Sequence, residues 1–280
     1  MLCRLTAIVA AFLLLFTLPT AKSSATEPPG ALTFGGLQRT YLLHVPAGLE
    51  RPNGLVLNLH GAGQTGFDQS VGTNYDAVAN QHGFVVAYPD GIDMSWADGR
   101  GASIPDRQGV DDVGFLSALI DRLTRDFGVP PGRVFVTGMS AGAFMANRLA
   151  CDRADLVAAI APVAGTLGSA VPCNPSKPVA VLAVHGTADP VVPYNGGPMV
   201  GRGGASDIVS APALAERWAA ADRCAPPVDA PAAEGRRLTA VGCAGGTEVE
   251  LVSIDGGGHN WPLRFDVSRA SGQFFAAHGG

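Results

Sequence analysis

One serine of this chain stands where covalent chemistry is feasible. Ser140 is the centre of a Gly-Met-Ser-Ala-Gly pentapeptide, which follows the apolar run at 134–137 and precedes a predicted helix ending near Cys151. A sharp strand-to-helix turn lifts a serine hydroxyl clear of the backbone, and small residues on either side let the chain pass itself. Because glycine and serine are common here, the pentapeptide alone is weak evidence. Its setting between strand and helix predicts Ser140 as a nucleophile.

A nucleophilic serine needs a base to take its proton and an acid to orient that base. His259 follows a predicted strand at 248–254 and three glycines, and Asp189 lies in the turn after a predicted strand at 179–185. These residues give the chain order Ser, Asp, His, which α/β-hydrolases share. The alternatives are a surface-loop role for His259, a turn-capping role for Asp189, and Asp255 as the acid.

The segment 60–64, His-Gly-Ala-Gly-Gln, follows a predicted buried strand at 54–59. At that place its backbone N–H groups could turn toward the charge that develops on a carbonyl oxygen. We expect the N–H groups of Ala62 and Ala141 to form an oxyanion hole, with His60 stabilising the loop. A simple glycine turn is the alternative.

Three further side chains are candidates for substrate binding. Trp96 follows a turn at the end of a predicted strand, Trp261 follows His259, and Gln64 closes the glycine-containing loop. Aromatic rings at such places could stack on a substrate. Ordinary packing is the alternative for both tryptophans.

Apolar runs and amphipathic stretches alternate along the chain, which favours a mostly parallel sheet with helices on both faces. We therefore predict an α/β fold of the α/β-hydrolase type, with its chemistry at the carboxyl ends of the strands. The predicted strands are 33–34, 38–44, 54–59, 84–88, 134–137, 158–163, 179–185 and 248–254. The predicted helices are 74–82, 111–126, 141–151, 206–222 and 266–277, and the Gly/Pro-rich segment 195–204 is predicted to be a surface loop.

The N-terminus has the pattern of a signal peptide. Arg4 precedes an apolar run at 5–18, and small residues at 23–25 form a cleavage site before Thr26. We expect a signal peptide at 1–25 and one catalytic domain at 26–280, with an uncleaved membrane anchor as the alternative. The net charge of −5 and the lack of basic clusters give no reason to expect nucleic-acid binding.

Four cysteines follow the predicted cleavage site, and an even number in an exported chain suggests disulfides. Of three possible pairings we favour Cys151–Cys173 and Cys224–Cys243, because each closes a local loop. A zinc site is the competitor, but no CxxC or paired-histidine spacing supports it. We expect no metal and no cofactor.

Six ordered motifs, spread over about residues 30–275, resemble the secreted polyhydroxybutyrate depolymerase and feruloyl esterase family of α/β-hydrolases. The motifs are His60-Gly61-Ala62-Gly63-Gln64-Thr65, Tyr88-Pro89-Asp90-Gly91, Asp111-Asp112-Val113-Gly114-Phe115, Gly138-Met139-Ser140-Ala141-Gly142, His185-Gly186-Thr187-Ala188-Asp189 and Gly258-His259-Asn260-Trp261-Pro262. The resemblance implies a Ser140–Asp189–His259 triad, ester hydrolysis and the two local disulfides. One departure is Ala62, where many depolymerases of the family carry cysteine.

We therefore expect a secreted serine esterase acting through an acyl-enzyme on feruloyl, acetyl or short hydroxyalkanoate esters. Degraders of solid polyester often use a separate adsorption domain, and the sequence shows neither that domain nor a linker. A polymer-degrading enzyme, a peptidase on the same fold, and a non-catalytic binding protein on a hydrolase scaffold are the alternatives.

Overall fold

The strands of the computed structural model, which describes residues 27–262 and 265–279, form one large sheet and one small hairpin. The predicted signal peptide at 1–25 lies outside the described residues. In chain order the strands are β1 (Glu27–Phe34), β2 (Leu37–His44), β3 (Gly54–Leu59), β4 (Phe84–Pro89), β5 (Val134–Met139), β6 (Ala159–Val163), β7 (Ala180–Gly186), β8 (Gly197–Gly201), β9 (Gly204–Ile208), β10 (Val228–Ala232), β11 (Gly235–Ala240) and β12 (Val249–Ile254).

The helices lie mostly between these strands. They are α1 (Gly66–Thr73), α2 (Tyr75–His82), α3 (Ile104–Gln108), α4 (Asp112–Phe127), α5 (Ala141–Asp152), α6 (Ala211–Ala221) and α7 (Val267–Ala277). No helix of the described ranges is long and apolar enough to cross a membrane.

The large sheet has the order β1-β2-β4-β3-β5-β6-β7-β12-β11-β10. Its six central strands, from β4 to β12, pair in parallel, and antiparallel strands extend it at both edges. This arrangement confirms the predicted mostly parallel sheet. Because β5, β7 and β12 run in the same direction, their carboxyl ends lie on the same side of the sheet. The residues that follow these three strands therefore meet there.

Helices cover both faces of the sheet, which explains why the central strands are mostly apolar on both faces. Leu55 and Leu57 of β3 face the core that contains Phe115 of α4 and Trp218 of α6. The intervening Val56 faces the other core, together with side chains of α2 and α7. Both faces are therefore sealed from water, and polar groups are confined to the ends of the strands.

Helix α4 shows how local sequence fixes an element that carries part of the core. The Asp111 carboxylate accepts a hydrogen bond from the Gly114 N–H at 2.7 Å and so caps the helix start. Gly128 ends the helix in the left-handed conformation, where glycine has no steric penalty. The prediction for this helix was accurate because both end signals are local.

The segment predicted as a surface loop at 195–204 instead contributes to the hairpin β8–β9. The following helix, predicted from 206, begins only at Ala211, because the Ser210 hydroxyl accepts the Ala213 N–H and a proline occupies its first turn. A second hairpin, β10–β11, was not predicted. Its residues are mostly exposed and give no apolar run to read.

Both favoured disulfides are present in the structure. Cys151–Cys173 joins the last turn of α5 to the segment that follows β6. Cys224–Cys243 closes the segment that contains the β10–β11 hairpin. Paired cysteines of this kind are typical of extracellular proteins.

Candidate active site

The turn from β5 into α5 holds Ser140 in a conformation that serine seldom adopts, with φ 54° and ψ −118°. The glycines on either side are required by close backbone contacts. A β-carbon on Gly142 would lie 2.1 Å from the Leu59 carbonyl oxygen, and one on Gly138 would lie 2.7 Å from the same atom. The Gly-x-Ser-x-Gly pattern is therefore a packing requirement, and it forces Ser140 onto the corner.

Hydrogen bonds fix the backbone on both sides of this corner. The Ser140 N–H donates to the Val163 carbonyl on β6 at 2.9 Å, and the Ser140 carbonyl accepts from Ala143 and Phe144 in the first turn of α5. The serine side chain has no hydrogen-bond partner among the described residues. The backbone is thus rigid while the hydroxyl stays free to react.

Two backbone N–H groups, those of Ala62 and Ala141, are candidates for binding an oxyanion. A β-carbon built on Gly61 would lie 3.6 Å from the Ser140 β-carbon, so the segment 60–64 passes beside the serine. Within the described part of the chain, the N–H groups of Ala62 and Ala141 donate no hydrogen bond to protein. An oxyanion hole requires free donors of this kind beside the attacking group.

His60 holds this loop in place. Its ring is buried, with Nδ1 2.8 Å from the Gly61 carbonyl and Nε2 accepting the Gly91 N–H at 2.9 Å. Burial lowers the pKa of His60, which keeps the ring neutral and allows it to donate at one nitrogen and accept at the other. The Trp96 indole N–H donates to the His60 carbonyl at 2.9 Å. These contacts fit the loop-stabilising role expected of His60.

Asp189 and His259 meet at the same edge of the sheet. His259 Nδ1 lies 2.8 Å from Asp189 Oδ2, although the two residues are far apart in sequence. Asp189 Oδ1 accepts the N–H groups of Val191 and Val192, both at 2.8 Å. Burial favours the neutral acid, but the hydrogen bonds from His259 and these two amides outweigh it, so the pKa of Asp189 is lowered. The carboxylate is therefore ionised and aimed at the ring.

His259 differs from the other histidine beside Asp189. His185 Nε2 lies 3.6 Å from Asp189 but is buried and donates to the Val192 carbonyl at 2.9 Å. Burial lowers the pKa of His185, so it packs as a neutral ring. The His259 side chain keeps 16% of its surface exposed, and its Nε2 makes no hydrogen bond to any described residue. Of the two histidines beside Asp189, His259 is therefore the one with a ring nitrogen that bonds to no described residue.

This geometry bears on two of the alternatives. Asp255 is exposed, and His259 bonds to Asp189 and not to it. The Asp189 side chain does support the turn after β7, as a capping residue would, but its second oxygen is committed to His259. Asp189 therefore holds the turn and orients the histidine together.

The predicted substrate-binding residues have different placements. Trp96 is 0% exposed and its ring lies 4.8 Å from the His60 ring, centroid to centroid, with the planes tilted by 36°, so its assignment as a substrate wall is corrected to a packing role. Trp261 is half-buried and donates to the Ser268 hydroxyl at 2.9 Å, which leaves part of the ring accessible. Gln64 is exposed, and its Oε1 accepts the Gly61 N–H at 3.2 Å. Gln64 thus braces the oxyanion loop.

Sequence reasoning missed the amides of Val191 and Val192 and the hairpin β8–β9. The amides carry no side-chain signal, although a Pro-Val-Val sequence after Asp189 is compatible with the turn. No group of three histidine, cysteine or acidic side chains able to hold a metal occurs in the described residues.

Comparison with known proteins gives a consistent result. The family model "Esterase PHB depolymerase" matches residues 39–230. The putative esterase NocK of Nocardia uniformis subsp. tsuyamanensis is 31% identical over 261 residues, covering 86% of this chain and 75% of that protein. Feruloyl esterase B of Piromyces equi is 31% identical over 232 residues, covering 79% of this chain but only 42% of that protein. This chain thus spans less than half of the fungal enzyme's length.

The fold has close counterparts among solved structures. An acetyl xylan esterase from Aspergillus awamori superposes with a TM-score of 0.62 and 18% identity, covering 85% of this chain and 93% of that one. At this level of identity the likeness concerns the fold, which is the predicted α/β-hydrolase fold.

Proposed function

Because this chain belongs to the esterase PHB depolymerase family, we propose that it hydrolyses carboxylic esters with Ser140, Asp189 and His259 as its catalytic triad. The observation that carries the proposal is the 2.8 Å hydrogen bond between Asp189 and His259 Nδ1. That bond fixes the ring so that Nε2 is unpaired at the edge where Ser140 stands. Asp189 then stabilises the imidazolium that forms when the ring takes a proton.

The reaction follows from these positions. Ser140 Oγ attacks the ester carbonyl while His259 Nε2 takes the hydroxyl proton, and the carbonyl oxygen becomes an anion that the Ala62 and Ala141 N–H groups bind. The bond to the alcohol breaks, and His259 returns its proton to the leaving oxygen. Water activated by His259 then attacks the acyl-enzyme, which releases the acid and restores Ser140.

The substrates we propose are feruloyl or acetyl esters, or short hydroxyalkanoate esters. The names of related proteins, a feruloyl esterase and an acetyl xylan esterase among them, support the first two classes. We also propose that the chain is exported, with a signal peptide at 1–25 and one catalytic domain at 26–280. The two disulfides support export.

Hydrolysis of polyhydroxybutyrate itself is a second candidate, which one surface observation favours. Large apolar side chains are exposed on segments next to the site: Phe67 on α1 is 63% exposed, Val191 after Asp189 is 42% exposed and Val200 on β8 is 77% exposed. Apolar residues around a site can adsorb to an apolar solid without a separate domain.

Parallel measurements on two substrates test both candidates. The protein without residues 1–25 is incubated with methyl ferulate and with amorphous poly(3-hydroxybutyrate), and Ser140→Ala serves as the blank. We expect ferulate release that the variant reduces by about 10⁴-fold or more, since the nucleophile is lost. Release of 3-hydroxybutyrate units from the polymer supports the second candidate. Equal rates for the two proteins would refute Ser140 as nucleophile.

A further inference from the structure

The hairpin β8–β9 packs against elements that carry residues of the candidate active site. Met199 on β8 is 7% exposed and Ile208 on β9 is 2% exposed, and both pack against Phe144 and Val192. Phe144 belongs to the first turn of α5 behind Ser140, and Val192 belongs to the turn held by Asp189. The apolar side of the hairpin thus packs against the helix that follows Ser140 and against the turn that Asp189 supports.

The tip of the hairpin reaches the other side of the site. Gly203 fits against the segment before α3, where a β-carbon would lie 2.3 Å from the Ala102 carbonyl oxygen, and its own carbonyl accepts a hydrogen bond from Arg107. A β-carbon built on Gly63 would lie 3.1 Å from Arg202 Nη1. The Arg202 guanidinium is therefore next to the loop that carries the Ala62 N–H.

Arg202 has no counter-ion in this position. Its side chain is exposed, and no carboxylate of the described residues forms a salt bridge with it. Arg100, which also contacts the hairpin, is instead paired with Asp98 at 2.7 Å and bonds to the Met199 sulfur. A guanidinium held beside the oxyanion loop without a partner can donate two parallel hydrogen bonds to a carboxylate.

We propose that Arg202 is a specificity-determining residue that selects esters bearing a free carboxylate near the reacting ester group. The proposal rests on the proposed function, because it requires the substrate's carbonyl carbon to lie at Ser140. A hydroxyalkanoate oligomer with a free acid end has this chemistry, since a carboxylate lies one monomer away from its last ester bond. A neutral alkyl ester lacks it.

The test compares one ester bond with and without a neighbouring charge. The probes are the linear dimer of 3-hydroxybutyrate with a free carboxylate and the methyl ester of the same dimer, and cleavage of the internal ester is followed chromatographically. Arg202→Gln removes the guanidinium charge and keeps a shorter polar side chain. Arg51→Gln is the matched control. Arg51 is exposed and precedes β3, so it lies at the amino ends of the parallel strands, whereas the candidate site lies at their carboxyl ends.

For Arg202→Gln we expect kcat/KM on the free acid to fall about tenfold, mostly through KM, and kcat/KM on the methyl ester to change less than about twofold. Addition of salt should weaken the preference of the unaltered protein for the acid. Equal losses on both probes would instead assign Arg202 to the general stability of the oxyanion loop and overturn the proposal, as would no loss on either. If the unaltered protein cleaves neither this pair nor methyl ferulate, the proposed function itself fails.

Discussion

A buried aspartate lies at each end of β7, Asp189 just after the strand and Asp222 at the end of α6, and their pKa values shift in opposite directions. Asp189, just beyond the carboxyl end, is 7% exposed and has a lowered pKa. Asp222 bonds to the Val179 N–H at the amino end, is 0% exposed, and has its pKa raised to about 6. Burial alone therefore does not decide the charge of a carboxyl group in this protein.

The difference lies in the donors that each carboxyl group finds. Asp189 receives two backbone amides and the His259 ring, which can carry positive charge. Asp222 receives the Thr247 hydroxyl and one weak amide contact from Val179 at 3.2–3.3 Å, and burial outweighs them. The surroundings of Asp189 stabilise a carboxylate anion. Asp222 instead connects the segment before β7 to the segment before β12 through its hydrogen bonds with Val179 and Thr247.

The largest effect on activity should come from removing the charge of Asp189, at the carboxyl end of β7. Asp189→Asn should lower kcat on methyl ferulate by about 10²–10⁴-fold, because a neutral amide favours the wrong tautomer of His259 and does not stabilise its imidazolium. Steady-state kinetics measure the loss. The same substitution at Asp222 should change kcat by less than about twofold, and comparable losses at the two positions would remove the functional distinction between the ends.

The next effect concerns the corner that positions the nucleophile relative to Asp189 and His259. Gly142→Ala should destabilise the fold by about 3 kcal/mol or more, because its β-carbon would lie 2.1 Å from the Leu59 oxygen. Gly201→Ala in the hairpin, where the nearest atom would be 3.8 Å away, should cost less than about 0.5 kcal/mol. Urea unfolding measures both. A tolerated Gly142→Ala would show that the corner can relax and that its tightness is not what holds Ser140.

The smallest effect concerns Asp222, at the amino end of β7, and is a pH dependence of the free energy of unfolding. The folded-state pKa of Asp222, about 6, exceeds the ordinary value of 3.8, so the native state holds this proton more tightly than the unfolded chain. Stability from this group is therefore complete below about pH 4 and is lost as pH rises through 6. Relative to Asp222→Asn, the unaltered protein should lose about 1–3 kcal/mol of unfolding free energy between pH 4 and pH 7.5.

Urea unfolding of both proteins at the two pH values checks the sign. A difference that stays constant would mean that folding leaves the pKa of Asp222 unshifted, and one that favours the unaltered protein at the higher pH would place Asp222 with Asp189 as a carboxyl group kept ionised by its surroundings.

The sequence predicted the parts of the site that local rules determine. Gly138 and Gly142 flank the serine because the backbone of β3 leaves no room for a β-carbon, and that constraint is visible in the pentapeptide. Asp189 and His259 follow apolar strands, so parallel topology brings them to one edge. The catalytic role proposed for Asp189 and His259 is what the Asp189→Asn variant tests.

The parts that sequence could not predict depend on contacts between distant segments. Trp96 gave the same signal as a substrate-stacking ring, and only the hydrogen bond from its indole to His60 and its full burial identify its packing role. The hairpin β8–β9 was not predicted, because its glycines and exposed residues give it the composition of a loop. Its strand pairing and its apolar anchors, Met199 and Ile208, fix it in place.

The chain segments that enter and leave the hairpin lie next to each other. The Ala211 N–H donates to the Tyr194 carbonyl at 2.9 Å, and Gly196 packs against the Ser210 backbone, so the chain leaves the crossover from β7 to α6 and returns to it at the same place. Because the stem is closed, a change in the length of the tip between β8 and β9 need not move the turn after β7 or the start of α6.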